Sequence, residues 1–140
     1  MKATNLPSKY QHMEIDVLAI AGKAMDPIIA QRLESVAILV LTIGLYINLD
    51  SSWWLFGALI LLPDISIAAY LVGNRIGQVV YNLLHSYSMP MGIYLLLSSL
   101  VTPFILEITL IWIAHIAIDR SLGYGLKFPT NFKHTHLSWK

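Results

Sequence analysis

Two histidines and two aspartates lie within or beside the apolar stretches of this sequence. His115 and Asp119 are four residues apart, so a helix places them on one face, one turn from each other. Asp64 lies in an earlier apolar stretch and His85 in the stretch between. Imidazole and carboxylate ligands without sulfur suit Zn, Mn, Fe or Mg. These residue types therefore predict a divalent-metal site formed by Asp64, His85, His115 and Asp119.

The chain that carries these residues has the composition of an integral membrane protein. Its 140 residues are 56% hydrophobic and only 12% charged, and the mean hydropathy is +0.65, which is too apolar for an ordinary soluble domain. The sequence has no cysteine, so disulfides, thiolate zinc sites and cysteine nucleophiles are excluded. A net charge of +1 without a basic patch gives no reason to expect nucleic acid.

Four apolar stretches are near the length of roughly 17 to 25 helical residues that spans a bilayer. They cover residues 33–49, 53–72, 76–101 and 103–122. Short connections make neighbouring helices antiparallel, so we predict an all-α fold, an up-down four-helix integral membrane bundle over residues 32–128. Residues 1–31 are expected to form a short amphipathic interfacial helix or a loosely ordered arm, and residues 129–140 a polar tail.

The basic residues predict the orientation of this bundle. Every Lys and Arg precedes the first span, lies between the second and third, or lies at the inner end of the fourth or after it. By the positive-inside rule both termini then face the cytoplasm, and the chain is a multi-pass protein of the inner membrane. The residues concerned are Lys2, Lys9, Lys23, Arg32, Arg75, Arg120, Lys127, Lys133 and Lys140.

Helix counting places the candidate ligands at similar depths. At 1.5 Å per residue, Asp64, His85 and His115 lie roughly 10 to 13 Å from the inner ends of their helices. Intramembrane carboxylates are costly and usually face the bundle interior, and a shared cation would offset their charge. The alternative is that each group is satisfied by hydrogen bonds to neighbouring helices as part of a structural polar network.

Three further residues are candidates for catalysis. Glu34 begins the first span on the inner side and is a possible additional carboxylate, although a helix-start carboxylate beside a snorkelling Arg32 is the alternative. Asn82 is three residues before His85, so it shares a helical face and could orient a ligand or a water. Arg120, like Arg75, lies at an inner helix end, where it could bind an anionic head group.

Several segments resemble the bacterial membrane family catalogued as domain of unknown function 4260. The resemblance covers roughly residues 32–137 and is most specific over the last segment. It implies four spans and a bacterial origin, and it assigns no reaction. The segments are RLES at Arg32–Ser35, LLPDIS at Leu61–Ser66, YNLLHSY at Tyr81–Tyr87 and WIAHIAIDRSLGYGLKFPTNFKHTHL at Trp112–Leu137.

A shorter set of motifs is similar to the membrane-bound metal-dependent hydrolases, also known as LexA-binding inner-membrane hydrolases. That family shows Leu-Pro-Asp, then His-Ser, then a late His-x-x-x-Asp followed by Tyr-Gly, and the same order occurs here. This sequence departs from the pattern at Ser66, where the family places a second Asp, and it has one His in the middle motif rather than two. The resemblance implies a metal-dependent hydrolase whose metal site here has fewer ligands or is completed by other residues.

Three functional hypotheses follow. The first is a metal-dependent membrane hydrolase that acts on a lipid or another amphiphile, with a bound water activated by the ion and a free carboxylate as general base. The second is a non-enzymatic scaffold, carrier or partner subunit whose polar residues stabilise the bundle. The third is a haem protein with His85 and His115 as axial ligands.

Overall fold

A computed structural model describes residues 26–97, 102–129 and 131–137, together with residues 13, 16, 17, 20 and 22. Most of the predicted N-terminal arm, residues 1–31, lies outside this part of the chain. The described residues are mostly helical, as predicted. The elements are α1 (Pro27–Asn48), α2 (Trp53–Leu59), a 3₁₀ helix (Leu62–Leu71), α3 (Asn74–Leu84), α4 (Ser88–Leu96), α5 (Pro103–Leu122), β1 (Lys127–Phe128) and β2 (Asn131–Thr135).

The first helix begins at Pro27 rather than near Leu33. Proline is well tolerated in the first helical turn because its missing N–H would be unpaired there anyway. Asp26 is the N-cap, and its side chain accepts a hydrogen bond of 2.8 Å from the backbone N–H of Ile28. The Asp-Pro pair therefore starts α1.

The second apolar stretch contains two kinds of helix. α2 ends at Leu59, and the chain continues as a 3₁₀ helix with Pro63 in its first turn. A 3₁₀ helix has three residues per turn, so residues three apart lie in one row. Asp64 and Tyr70 thus share a row that also contains Ile67, and Pro63, Ser66 and Ala69 form the adjacent row.

The third predicted span, residues 76–101, is not one continuous helix. α3 ends at Leu84, His85 is its C-cap, and α4 begins at Ser88. Pro90 lies in the first turn of α4, where it needs no N–H partner, whereas in an uninterrupted helix it would remove a hydrogen bond and clash with a preceding carbonyl. The break therefore falls immediately beside His85.

Helix α5 is the centre of the packing. It contacts α1 most extensively, and it also packs against α2, α4 and the 3₁₀ helix. α1 buries a narrow stripe of Ser35, Thr42 and Tyr46, the kind of small and polar surface that lets membrane helices approach closely. Tyr46 forms the hydrophobic core together with Leu110 and Ile111 of α5.

Within the described ranges, two helical stretches are long and apolar enough to cross a membrane. They are Pro27–Asn48, with 22 residues, and Trp53–Leu71, with 19 residues, and only 11% of an apolar 18-residue segment of either is buried inside the protein. The core helix of a soluble protein would be mostly buried, whereas these helices expose large apolar side chains such as Val40, Leu41 and Leu71. An exposed apolar surface of this kind is typical of contact with lipid.

The C-terminal segment forms a hairpin in which β1 pairs antiparallel with β2. Gly123 ends α5 with a positive φ of 93°. The N–H of Tyr124 bonds to the carbonyl of Asp119 at 2.8 Å, and that of Gly123 bonds to the carbonyl of Arg120 at 3.1 Å. This pair of bonds is a Schellman motif, and it turns the chain back toward α3.

Candidate metal centre

Asp64, His85, His115 and Asp119 lie together in the folded chain. Each offers one ligand atom, and all four atoms lie within 4.8 Å of one another. The group therefore draws on the 3₁₀ helix, the end of α3 and the last two turns of α5. Both histidines are buried, whereas the Asp64 and Asp119 side chains are 39% and 20% exposed, so the group is accessible on its carboxylate side.

The distances between these atoms match the edges of a coordination polyhedron. The two histidine Nε2 atoms are 3.2 Å apart. His85 Nε2 lies 3.4 Å from Asp64 Oδ1 and 3.6 Å from Asp119 Oδ2, and the corresponding distances from His115 Nε2 are 3.7 Å and 3.9 Å. Four ligands about 2.0 to 2.1 Å from a tetrahedral ion are about 3.3 to 3.4 Å apart. The observed separations are close to this value and slightly larger, so small movements would bring the four atoms to an ion.

Tyr81 fixes the orientation of His85. The two rings stack with centroids 3.8 Å apart and planes 9° from parallel. His85 Nδ1 lies 3.0 Å from the Tyr81 carbonyl, and since a carbonyl only accepts, Nδ1 carries the proton. In the neutral ring Nε2 is then the unprotonated nitrogen, and it points toward the two carboxylates. A metal-binding histidine is commonly oriented in this way by a partner on its other nitrogen.

The local fold explains why Asp64 and His85 meet. The Asp64 row of the 3₁₀ helix packs against α3, where a Cβ at Gly77 would collide with the Tyr70 ring. This close approach brings the two elements together. Trp112 of α5 donates a hydrogen bond of 2.7 Å to the Leu84 carbonyl, which is one of the carbonyls that lose their helical partner when α3 ends.

The C-terminal hairpin places a lysine beside the carboxylates. Asn82 accepts from the Lys127 N–H at 2.7 Å and donates to the Lys127 carbonyl at 2.9 Å, and Gln78 donates to the same carbonyl at 3.2 Å. The Lys127 ammonium lies 5.0 Å from the centroid of the Tyr81 ring. Burial lowers the pKa of Lys127, while the charges of Asp119 and Asp64 act in the opposite direction.

Arg120 is buried between α5 and its neighbours. Its Nη2 donates to the His85 carbonyl at 3.1 Å, and its Nη1 lies 3.0 Å from His136 Nε2. His136 Nδ1 faces the Leu126 N–H at 2.8 Å. Both ring nitrogens of His136 thus face N–H donors, and a neutral imidazole accepts at only one of them. Burial and the Arg120 guanidinium lower the pKa of His136.

The structure brings together the four predicted ligands but not the three predicted catalytic residues. Glu34 is exposed on α1 and is not a member of the group. The Asn82 amide bonds the Lys127 backbone on both of its polar atoms, and the Arg120 guanidinium supports the His85 carbonyl. Arg75 is exposed at the start of α3. Asn82 and Arg120 therefore contact the surroundings of the site, and their predicted roles toward a ligand remain untested.

Sequence reasoning missed the residues that support the group from outside. The four-residue spacing of Tyr81 and His85 was the available signal for their stacking. Lys127 and His136 gave no such signal, because they reach the site only after Gly123 reverses the chain.

A comparison with known families identifies the class of this chain. The profile of a family described as Domain of unknown function (DUF4260) matches residues 28–139, and the chain therefore belongs to that family. The match extends from the start of α1 through the hairpin, so it includes all four members of the His/Asp group. Neither the curated proteins nor the solved structures gave a match.

Proposed function

We propose that Asp64, His85, His115 and Asp119 bind one divalent metal ion. The observation that carries this proposal is the convergence of four ligand atoms, from three separate elements, to within 4.8 Å of one another. Two carboxylates and two neutral imidazoles have a formal charge of minus two, which a divalent cation offsets. Imidazole nitrogen combined with carboxylate oxygen favours Zn, Fe or Mn over Mg.

The arrangement supports a metal-dependent hydrolase. A divalent ion bound by these ligands lowers the pKa of a bound water and polarises the bond to be cleaved. Asp64 is the more exposed of the two carboxylates, so its second oxygen is available to take the proton from the attacking water and to return it to the leaving oxygen. Lys127, close to both carboxylates, adds positive charge for an anionic substrate group.

The substrate we propose is a lipid or another amphiphile, and the location is the inner membrane. Two helices have the length and apolar surface to cross a bilayer, and we assign α3 with α4 and α5 as the third and fourth spans of an up-down bundle. The distribution of all nine basic residues supports cytoplasmic termini. The metal group, close to the inner end of α5, would then lie in the cytoplasmic half of the membrane.

A structural polar network is the second candidate, and one observation favours it. The His85 and His115 Nε2 atoms are within hydrogen-bonding distance at 3.2 Å, and Asp64 Oδ1 lies 3.4 Å from His85 Nε2, so the group can also be linked by protons. The haem hypothesis is disfavoured because a macrocycle must lie between its two axial nitrogens. The 3.2 Å separation and the adjacent carboxylates leave no space for it.

Elemental analysis tests the metal proposal. The chain is purified without added metal and without chelator, alongside Asp64→Asn and His115→Ala, with Glu34→Gln as the matched control for an exposed carboxylate outside the group. We expect one divalent ion per chain in the unaltered protein and in Glu34→Gln, and strong depletion in the two ligand variants. Absence of a stoichiometric ion from the unaltered protein would refute the proposal.

The hydrolase step is tested separately with the metal-loaded protein in lipid nanodiscs. Release of product from ester and phosphoester amphiphiles is measured with and without chelator, again with Asp64→Asn and Glu34→Gln. We expect turnover that needs both the ion and Asp64 and that survives Glu34→Gln. Turnover that is equal in Asp64→Asn would show that the activity does not come from this site.

A further inference from the structure

An apolar cavity of about 370 Å³ adjoins the proposed metal centre. The three elements that supply the ligands also line this cavity. Pro63 is the neighbour of Asp64 in the chain, Leu84 is the neighbour of His85, and Trp112 lies one turn before His115. The cavity is therefore built by the same three elements that carry the His/Asp group, and chain neighbours of two of the ligands line it.

The three-residue period of the 3₁₀ helix puts its metal ligand and its cavity-lining residues in different rows. Asp64 belongs to the row that packs on α3, whereas Pro63, Ser66 and Ala69 all line the cavity. On α5 the cavity residues Ile111 and Trp112 lie on the same helical face as His115. The cavity and the metal group therefore lie on neighbouring faces of the same elements, and none of the four ligand residues lines the cavity itself.

One polar group in the cavity has no partner. Ser66 is only 4% exposed, and no hydrogen-bonding partner lies near its Oγ within the part of the chain that the structure describes. A serine hydroxyl in a helix usually bonds a preceding backbone carbonyl. Burial of an unpaired hydroxyl is unfavourable. The Ser66 Oγ is itself covered, but Ser66 lines the cavity, so rotation of its side chain would let the hydroxyl donate to an acceptor carried by the occupant of the cavity.

The rim of the cavity indicates where this occupant comes from. Ile65 and Leu62 line the cavity and are 66% and 49% exposed, and they belong to the Trp53–Leu71 stretch that is apolar enough to cross a membrane. The opening is thus continuous with a surface suited to lipid. The volume is at the lower end of the range of about 300 to 1,000 Å³ for ligand pockets, which suits a single chain rather than a whole two-chain lipid.

We propose that this cavity binds one acyl chain of an ester-linked bilayer lipid, with the Ser66 hydroxyl donating a hydrogen bond to the ester carbonyl. The acyl chain enters from the bilayer past Leu62 and Ile65, and its ester is held beside the His/Asp group. As a statement about substrate class, this inference rests on the proposed function. The binding itself requires only the cavity walls and Ser66.

Quenching of tryptophan fluorescence by brominated acyl chains tests this proposal. Trp112 lines the cavity, and substitution of Trp53, Trp54 and Trp139 by Phe leaves it as the single tryptophan of the full chain. A second background retains only Trp54, which is 91% exposed and reports contact with bulk lipid. Both are placed in nanodiscs with increasing fractions of a lipid brominated on its acyl chains.

We expect quenching of Trp112 to saturate at a low fraction of brominated lipid, while quenching of Trp54 follows the bulk fraction. Ala69→Phe, which fills the cavity, should abolish the saturable part, and Ala68→Phe, at the exposed neighbouring position, should preserve it. Ser66→Ala should raise the fraction of brominated lipid that gives half-maximal quenching of Trp112 roughly three- to tenfold, which is the effect of losing one hydrogen bond. If Ala69→Phe fails to fold, Ser66→Leu fills the same space.

The proposal is overturned if Trp112 and Trp54 are quenched in parallel, or if the filled and the control variants behave alike. Elemental analysis of the unaltered protein separates this outcome from failure of the metal proposal. Saturable quenching without a bound ion in the unaltered protein would leave the acyl site standing and remove the metal site. A bound ion without saturable quenching would leave the metal site standing and remove the acyl site.

Discussion

The Nε2 atoms of His85 and His115 lie 3.2 Å apart although the two residues belong to different helices. The stacked Tyr81 ring and the Tyr81 carbonyl orient His85, and His115 is buried in the central helix α5. Carboxylates from Asp64 and Asp119 complete the group from the more exposed side. The predictions below follow from this arrangement.

Metal removal should destabilise the protein only when the ligands are intact. We expect a chelator to lower the Tm of the unaltered chain, by the equivalent of about 3 to 4 kcal/mol if the ion is normally present at 100 to 1,000 times its Kd. In His115→Ala and Asp119→Asn the chelator should have no effect. Equal Tm values with and without chelator in the unaltered chain would instead favour the structural polar network.

Loss of the Tyr81 ring should weaken metal binding without removing a ligand. Tyr81→Ala abolishes the stacking on His85, and we expect a loss of roughly 10- to 100-fold in metal affinity, as for other residues that orient a ligand. Tyr81→Phe keeps the stacked ring and the backbone carbonyl, so its affinity should be close to that of the unaltered chain. Titration with Zn²⁺ measures both, and equal weakening in the two variants would argue against the stacking as the cause.

Gly77 should not tolerate a side chain. A Cβ there collides with the Tyr70 ring, so Gly77→Ala should reduce the free energy of unfolding by about 1 to 3 kcal/mol, as overpacking does. Gly92 of α4 has nothing within 4 Å of the position of a Cβ, and Gly92→Ala should be neutral or stabilising by up to about 1 kcal/mol. Thermal unfolding of both variants is the test, and similar effects would contradict the packing described.

The Asn82 amide should hold the C-terminal hairpin on α3. Asn82→Ala removes the two hydrogen bonds to the Lys127 backbone, and we expect a loss of about 1 to 3 kcal/mol together with faster hydrogen exchange at the Lys127 amide. Asn82→Asp keeps an acceptor for that amide and should retain more of its protection. An unchanged exchange rate in Asn82→Ala would show that the hairpin is held by other contacts.

His136 should make stability fall at acid pH. Burial and the Arg120 charge lower its pKa in the fold below the ordinary 6.5, so the unfolded chain takes up a proton first. Above about pH 6.5 neither state binds this proton and the contribution is complete, and it is lost as the pH falls below that value. We expect the Tm of His136→Gln to fall less steeply between about pH 7.5 and pH 5 than that of the unaltered chain. Parallel curves of Tm against pH for the two proteins would show that His136 does not cause the loss of stability at acid pH.

The sequence carried enough information to predict the four members of the His/Asp group. The i, i+4 spacing of His115 and Asp119 depends only on regular helix geometry. The common depth of Asp64 and His85 was counted at the rise of an α-helix, although Asp64 lies in a 3₁₀ helix. The break beside His85 was not predicted, because the apolar stretch continues without interruption on both sides of it. Pro90 was the available signal, since proline fits the first turn of a new helix. The position of Lys127 was not predictable, since it depends on pairing between the hairpin and Asn82, which lie 45 residues apart.

X-ray absorption at the edge of the bound metal tests the central claim most directly. We predict a first shell of nitrogen and oxygen only, at about 2.0 to 2.2 Å, with outer-shell scattering from two imidazole rings that diminishes to one ring in His115→Ala. A shell without imidazole scattering, or a spectrum unchanged by that substitution, would show that the ion is not held by His85 and His115.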